Sequence, residues 1–189
     1  KKFLNKKKVK KYKIILEPYK KNTAPAILAS ALLEDISPDQ PLIFFSSDNL
    51  IDSVPKFNKS ISKNKKYLSN DNIFIFGIKP ISPSSEYGYF LSKKVSSNIN
   101  KIKSFIEKPN KNKVKIIIKK RGYMNSGMFF MRKDSIIYNF KKNQPKTYKY
   151  CLNSINKSKL KNKTCHLNKK SFIKSIEKSF DYAILEKSK

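Results

Sequence analysis

Short apolar runs alternate with amphipathic stretches along this chain, the pattern of an α/β fold. Ile14, Ile15 and Leu16 form a compact apolar run, and a strand is predicted over 13–16. Glu17-Pro18 ends it, because a residue before proline is pushed out of the helical region. A helix is predicted over 24–34, with Ile27, Leu28, Ala31 and Leu32 on one face, Thr23 as its cap and Pro25 tolerated in its first turn. Strands are predicted at 42–45 and 73–78, with an amphipathic helix over 54–68 between them. Residues 89–91 and 102–106 read as a strand pair, 111–119 as a helix, and 128–131 as a strand entered from Asn125-Ser126-Gly127. A further helix starts at 135–140. The stretch 141–170 is polar and shows no readable period, 171–179 is predicted helical, and 182–185 is predicted to be a last strand or edge. There are no internal repeats and no sign of a second domain.

Composition changes this picture in three places. At 189 residues the chain is long enough for one domain with a real core, and no apolar run approaches the ~20 residues needed to span a bilayer. No apolar signal segment follows the basic start, so a cytoplasmic protein is expected. Cys151, Cys165 and His166 fall short of a four-ligand zinc site and are expected to be reduced and structurally neutral. The net charge of +30 raises a nucleic-acid reading. Two features count against it: Arg121 and Arg132 are the only arginines, and the lysines are spread along the whole chain rather than gathered into a stripe. The excess charge can still help to attract anionic substrates.

Several constellations can carry chemistry. Glu17 places a carboxylate at the end of a buried strand, where open α/β sheets bind ligands. Asp48, in Ser46-Ser47-Asp48-Asn49, follows another such strand and can either hold a divalent cation or cap a turn. Gly88, between Tyr87 and Tyr89, marks either close approach of a ligand or a bulged strand. Glu107-Lys108-Pro109 puts an acceptor and an ammonium side by side, which suits a sugar phosphate and equally describes a surface pair. Asn125 and Ser126 precede an apolar strand. Asp181, in Ser179-Phe180-Asp181-Tyr182, is either a cap or a second carboxylate for a cation.

These segments, taken in order, resemble the signatures of the mannose-1-phosphate guanylyltransferases, the sugar nucleotidyltransferases that make GDP-mannose. Leu16 to Ala26 resembles the family's LEPxxRNTAPA. Ser46 to Asn49 stands where the family has PADH. Gly77 to Phe90 resembles GIxPxxPxxGYGYI, Phe105 to Pro109 resembles FxEKP, Met124 to Phe129 resembles WNSGMF without its tryptophan, and Ser179 to Lys187 resembles SIDYAVMEK. The resemblance implies a Rossmann-like, mixed and mostly parallel sheet flanked by helices. It implies transfer of a guanylyl group from GTP to mannose 1-phosphate, with pyrophosphate released. It implies Mg²⁺ as cofactor on Asp48 and Asp181, and Asp48, Lys108 and Asp181 as the catalytic set. Glu17, Lys21, Asn22 and Thr23 would face the nucleotide, with Glu17 selecting guanine; Tyr87, Gly88, Glu107, Lys108 and Asn125 would face the sugar.

The family's Gly-rich GGxGxRLWPLS loop has no counterpart here. The four glycines are Gly77, Gly88, Gly122 and Gly127, none in a cluster. Because the chain opens on Lys1, the matching region is expected upstream, and 1–189 is expected to be a single partial nucleotidyltransferase domain with exposed apolar edges. An inactive fragment or sugar-nucleotide-binding homologue is the alternative, and a lysine-rich nucleic-acid-binding protein a more distant one. A homo-oligomer is compatible with the sequence.

Overall fold

The computed structural model describes residues 8–96 and 99–188. The first strand, β1 (Ile14–Leu16), runs into helix α1 (Thr23–Ala31), then β2 (Pro41–Phe44), α2 (Val54–Asn64) and β3 (Phe74–Ile78). An antiparallel pair follows, β4 (Tyr89–Lys94) and β5 (Asn100–Ile106), then α3 (Lys111–Lys119) and the long β6 (Tyr123–Arg132). The remainder is α4 (Lys133–Asn143), α5 (Pro145–Asn156), the hairpin β7 (Lys159–Lys161) and β8 (Thr164–His166), and two short helices, α6 (Lys169–Phe172) and α7 (Phe180–Ala183). A 3₁₀ turn at Leu185–Lys187 follows.

The architecture is mixed α/β, and the strands form two sheets. In the larger, β6 is central. It pairs antiparallel with β2 along one side and with β3 along the other, while β4 joins its amino-terminal end and carries β5. In the smaller, β1 lies parallel to β8, which pairs antiparallel with β7. Only the β1–β8 pairing is parallel, so the expectation of a mostly parallel sheet is not met among the described residues. The reason is the place of β6. β2 and β3 point the same way, as strands joined through a helix do, but β6 lies between them running the other way and takes the hydrogen bonds of both. β3 pairs with β6 alone and β5 with β4 alone among the described residues, so each presents an open edge.

Local chemistry explains most boundaries. Asn22, not Thr23, caps α1: its Oδ1 accepts from the Thr23 N–H at 2.8 Å. Asn110 caps α3 by accepting from the Lys113 N–H at 2.9 Å. The unreadable stretch holds α5 and the β7–β8 hairpin, whose two-residue turn puts Asn162 and Lys163 at φ 47° and 62°. Both turn residues in the left-handed region are what a type I′ turn demands, and lysine is an unusual choice for it. The predicted final strand at 182–185 is instead α7 and the 3₁₀ turn. Ser179 caps α7, its Oγ accepting from the Tyr182 N–H at 3.3 Å. A run as short as Tyr182 to Leu185 carries no period that separates strand from helix. The helix predicted over 171–179 shrinks to α6.

The main core lies between β6 and a layer of helices. Phe129 and Met131 of β6 pack with Ala24, Leu28 and Ala31 of α1, Ile136 and Phe140 of α4, Cys151 of α5, and Phe180 and Ala183 of α7. Cys151 and Cys165 are free and buried, and burial, with the Glu17 charge adding to it, pushes the Cys151 thiol up to about 12. That value leaves the thiol unreactive at neutral pH. A smaller cluster of Tyr89, Val114 and Ile117 seats α3 on β4. No helix among the described residues is long and apolar enough to cross a membrane.

Candidate functional site

The turn after β5 and the short helix α7 meet at the amino-terminal half of β6. Asn125 on β6 donates from Nδ2 to Asp181 Oδ1 at 2.7 Å, and its backbone N–H donates to the Gly88 carbonyl at 2.8 Å. Asn125 is buried, and its Oδ1 accepts from the Gly127 N–H at 3.1 Å. Gly127 sits at φ 72°, a conformation in which a side chain is strained. The register of β3 against β6 also shifts here, between Ile75 and Gly77. The Asn-Ser-Gly motif is thus an irregularity inside β6 rather than a turn before it, and such irregularities re-aim side chains.

Glu107 closes the other side. A Cβ built on Gly88 would lie 2.5 Å from Glu107 Oε2 and 2.8 Å from the Phe105 ring, so only glycine leaves room for the carboxyl. Glu107 Oε2 is buried and has no hydrogen-bond partner among the described residues. A polar atom buried without a partner is costly, and such atoms mark places where a ligand group is expected. Burial and the neighbouring Asp181 carboxylate push Glu107 up to about 7, with Lys108 opposing and Glu186 adding to the rise. Asp181 is also raised, chiefly by burial, with Asn125 opposing. Three carboxylates, Glu107, Asp181 and Glu186, therefore share one partly dry place and repel one another. A site of this kind takes hydroxyl donors or a cation.

What fixes Asp181 is aromatic packing. Phe180, fully buried, lies with its ring 4.8 Å from that of Phe129 and 6.1 Å from that of Phe140. Burying one such side chain contributes roughly 1.5–3 kcal/mol, which holds the adjacent carboxylate in place. The same segment is tied to the start of α1. The Phe180 N–H donates to Thr23 Oγ1 at 2.9 Å, the Ala24 N–H donates to the Lys178 carbonyl at 3.2 Å, and Lys21 Nζ lies 4.0 Å from Glu177 Oε2. Thr23, expected as a cap, is instead the link between α1 and the Asp181 segment.

Residues 1–172 match the family model described as nucleotidyl transferase. The chain belongs to the nucleotidyl transferase family. It is 31% identical to an Escherichia coli mannose-1-phosphate guanylyltransferase over 185 residues, covering 93% of this chain and 40% of that protein. It is 28% identical over 181 residues to the alginate biosynthesis protein AlgA of Pseudomonas fluorescens, covering 93% of this chain and 38% of that protein. The chain thus spans about two fifths of the length of the curated relatives it matches. A Helicobacter pylori crystal structure named mannose-6-phosphate isomerase superposes with a TM-score of 0.83 at 30% identity, covering 98% of this chain and 73% of that one. A Thermus thermophilus structure named mannose-1-phosphate geranyltransferase, 21% identical with a TM-score of 0.78, covers 92% of this chain and 50% of that one and shares the fold.

In this member of the family the residues expected to form the site fall into groups. Gly88, Glu107, Asn125 and Asp181 come together, and Lys21, Asn22 and Thr23 lie beside residues 177–180, next to them. Lys108 is exposed on the same turn as Glu107, at φ 46°. Tyr87 is 49% exposed. Glu17 stands apart, at the end of β1 within electrostatic reach of Cys151 on α5, its carboxyl raised by desolvation. Asp48 lies in the exposed turn after β2 and has no hydrogen bond or ion pair among the described residues. It leaves the sheet at the end of β2 that faces the Asn125 half of β6, but nothing links it to Asp181 directly.

Among the described residues no three His, Cys, Asp or Glu side chains are grouped as a metal cage. Asp48 and Asp181, the two carboxylates that the resemblance implies for Mg²⁺, are hard oxygen donors of the kind that ion takes. The buried, unpartnered Glu107 oxygen and the unpaired Asp48 carboxylate supply only oxygen donors. Glu186 is the member of the cluster to which the Ser179–Lys187 motif gave no role. Its signal was its place in that motif, five residues after Asp181, and its partner lies 79 residues away.

Proposed function

We propose that this chain forms the sugar-phosphate side of a nucleotidyltransferase that joins mannose 1-phosphate to GTP, giving GDP-mannose and pyrophosphate. The observation that carries the reading is the convergence of Gly88, Glu107, Asn125 and Asp181 around a buried, unpartnered carboxylate oxygen. A sugar ring offers the hydroxyl donors that this oxygen lacks. The choice of mannose and guanine follows the names of the curated relatives and the order of the motifs.

The chemistry asks little covalent work of the protein. The sugar phosphate oxygen attacks the α-phosphorus of GTP in line and the bond to the pyrophosphate oxygen breaks, so positioning and charge neutralisation dominate. Glu107 and Asn125 orient the sugar hydroxyls. Gly88 lets its backbone and the Glu107 carboxyl approach closely. Lys108 offers a point charge to the sugar phosphate. Asp48 and Asp181 would hold Mg²⁺, which when bound screens the two anionic substrates from one another. The link from Thr23 to Phe180 keeps the nucleotide and sugar sides in register.

Glu17 is assigned to guanine selection, because a carboxylate accepts from both N1–H and the exocyclic N–H, a pair that adenine lacks. A bidentate contact of this kind is worth ~1–3 kcal/mol by analogy with base readout in DNA. Glu17→Gln in the natural gene product is expected to reduce the preference for GTP over ATP by tenfold or more in kcat/KM. An unchanged preference removes Glu17 from that role. The proposal as a whole is tested by pyrophosphate release from GTP, which is expected only with mannose 1-phosphate or a close sugar relative present. Tight GDP-mannose binding without turnover would instead favour a binding-only homologue.

A further inference from the structure

Glu186 touches no substrate group in the scheme above, yet its carboxylate is placed with some care. It sits on the closing 3₁₀ turn after buried Leu185, and its Oε1 accepts a hydrogen bond from the backbone N–H of Glu107 at 3.1 Å. That amide opens the turn that carries Lys108. Lys108, the next residue, adopts φ 46°, a left-handed conformation unusual for a long side chain, and Pro109 behind it is buried. Beyond Pro109 the chain is held by the Asn110 cap of α3. On the β5 side the ladder pairing ends at Ile106 opposite Tyr89, and the next amide, that of Glu107, is held by the Glu186 carboxylate, which reaches across 79 residues of sequence.

The contact carries an electrostatic penalty. Glu186 adds a third negative charge near Glu107 and Asp181, and raises both. A glutamine would make the same hydrogen bond without that repulsion, and a bond from an amide to a carboxylate is the stronger of the two. The benefit lies in the turn: its conformation sets the placement of the half-buried Glu107 carboxyl and the exposed Lys108 ammonium, which follow one another in the chain.

We propose that Glu186 is a positioning residue, which through its bond to the Glu107 amide holds the Glu107–Lys108 turn in the left-handed form that presents both side chains to a sugar phosphate. The sugar phosphate in this statement rests on the function proposed above. Glu186 is exposed, so its replacement leaves the core untouched.

The test compares Glu186→Ala with Glu186→Gln in the natural gene product. In Glu186→Ala, KM for mannose 1-phosphate is expected to rise about tenfold with KM for GTP unchanged, as loss of one charge-assisted hydrogen bond allows. Glu186→Gln, whose amide oxygen still accepts, is expected to stay within about threefold of wild type. Equal rises for both substrates, damage from Gln as large as from Ala, or no change in Ala would overturn the proposal. A ligand-free measurement separates this proposal from the reading of the site. Hydrogen exchange at the Glu107 amide is expected to quicken about tenfold or more in Glu186→Ala, and unchanged exchange overturns the tether. Wild-type protein that takes up neither mannose 1-phosphate nor GDP-mannose sinks the sugar-phosphate reading, and amide exchange then still decides whether Glu186 holds the turn.

Discussion

Asp181→Asn is expected to leave the protein folded and to lower kcat for guanylyl transfer about 10³-fold. That loss corresponds to ~4 kcal/mol of transition-state stabilisation, the scale expected when a carboxylate that would hold a charge-neutralising cation is removed. The fold survives because the site of Asp181 is built by its neighbours. Phe180 stays packed on Phe129 and Phe140, Ser179 still caps α7, and the asparagine amide oxygen can accept from Asn125 Nδ2 as the carboxylate does. Because burial disfavours the Asp181 charge, its removal should leave the melting temperature unchanged or slightly higher. Steady-state kinetics beside a thermal melt separate the two effects. A variant that keeps turnover within fivefold of wild type would end the assignment of Asp181 to the reaction.

Glu107→Gln is expected to raise stability at alkaline pH and to weaken sugar-phosphate binding. The sign follows from linkage. The Glu107 carboxyl rises from an ordinary 4.5 to about 7 in the folded protein, so the native state binds more protons than the unfolded chain between those values. Stability from this group is therefore present below pH 4.5 and is lost as pH rises through about 7. Allowing for the half-exposed position of Glu107, the loss amounts to about 1–2 kcal/mol. The glutamine amide does not titrate, so the variant should match wild type near pH 4 and exceed it by that amount at pH 8, read by chemical denaturation. Identical pH profiles would show that the repulsion among Glu107, Asp181 and Glu186 is relieved in some other way. Affinity for mannose 1-phosphate should fall roughly tenfold or more at pH 8, since a charged acceptor contributes about 1.5–3 kcal/mol to a hydrogen bond. A gain in stability at the expense of binding is the usual mark of a functional site.

The order of the motifs led to the nucleotidyl transferase family, and the match over residues 1–172 shows it. The elements were legible where their causes are local. The helix Lys111–Lys119 matches the predicted 111–119, and its causes are local: Asn110 caps it from just outside, and Val114 and Ile117 are buried on one face. The strands at Pro41–Phe44 and Phe74–Ile78 were readable as apolar runs between turn residues. The helix Pro145–Asn156 and the hairpin after it were not, since their polar and lysine-rich faces hide the buried Cys151, Ile155 and Cys165. Nor was the direction of strand pairing, which depends on β6 entering between β2 and β3.

By itself the sequence marked the candidate residues and the local elements that bear them: Glu107 and Lys108 before a proline, Asn125 at the head of an apolar run, Asp181 behind a serine cap. Those follow from backbone preference and side-chain type over a few neighbours. Only the tertiary structure decided which of them meet. Asn125 reaches Asp181 across 56 residues, Thr23 reaches Phe180 across 157, and Glu186 reaches the Glu107 amide across 79. Such contacts depend on how β6, α7 and the β5 turn pack around Phe180, and packing through space leaves no periodic trace in the chain.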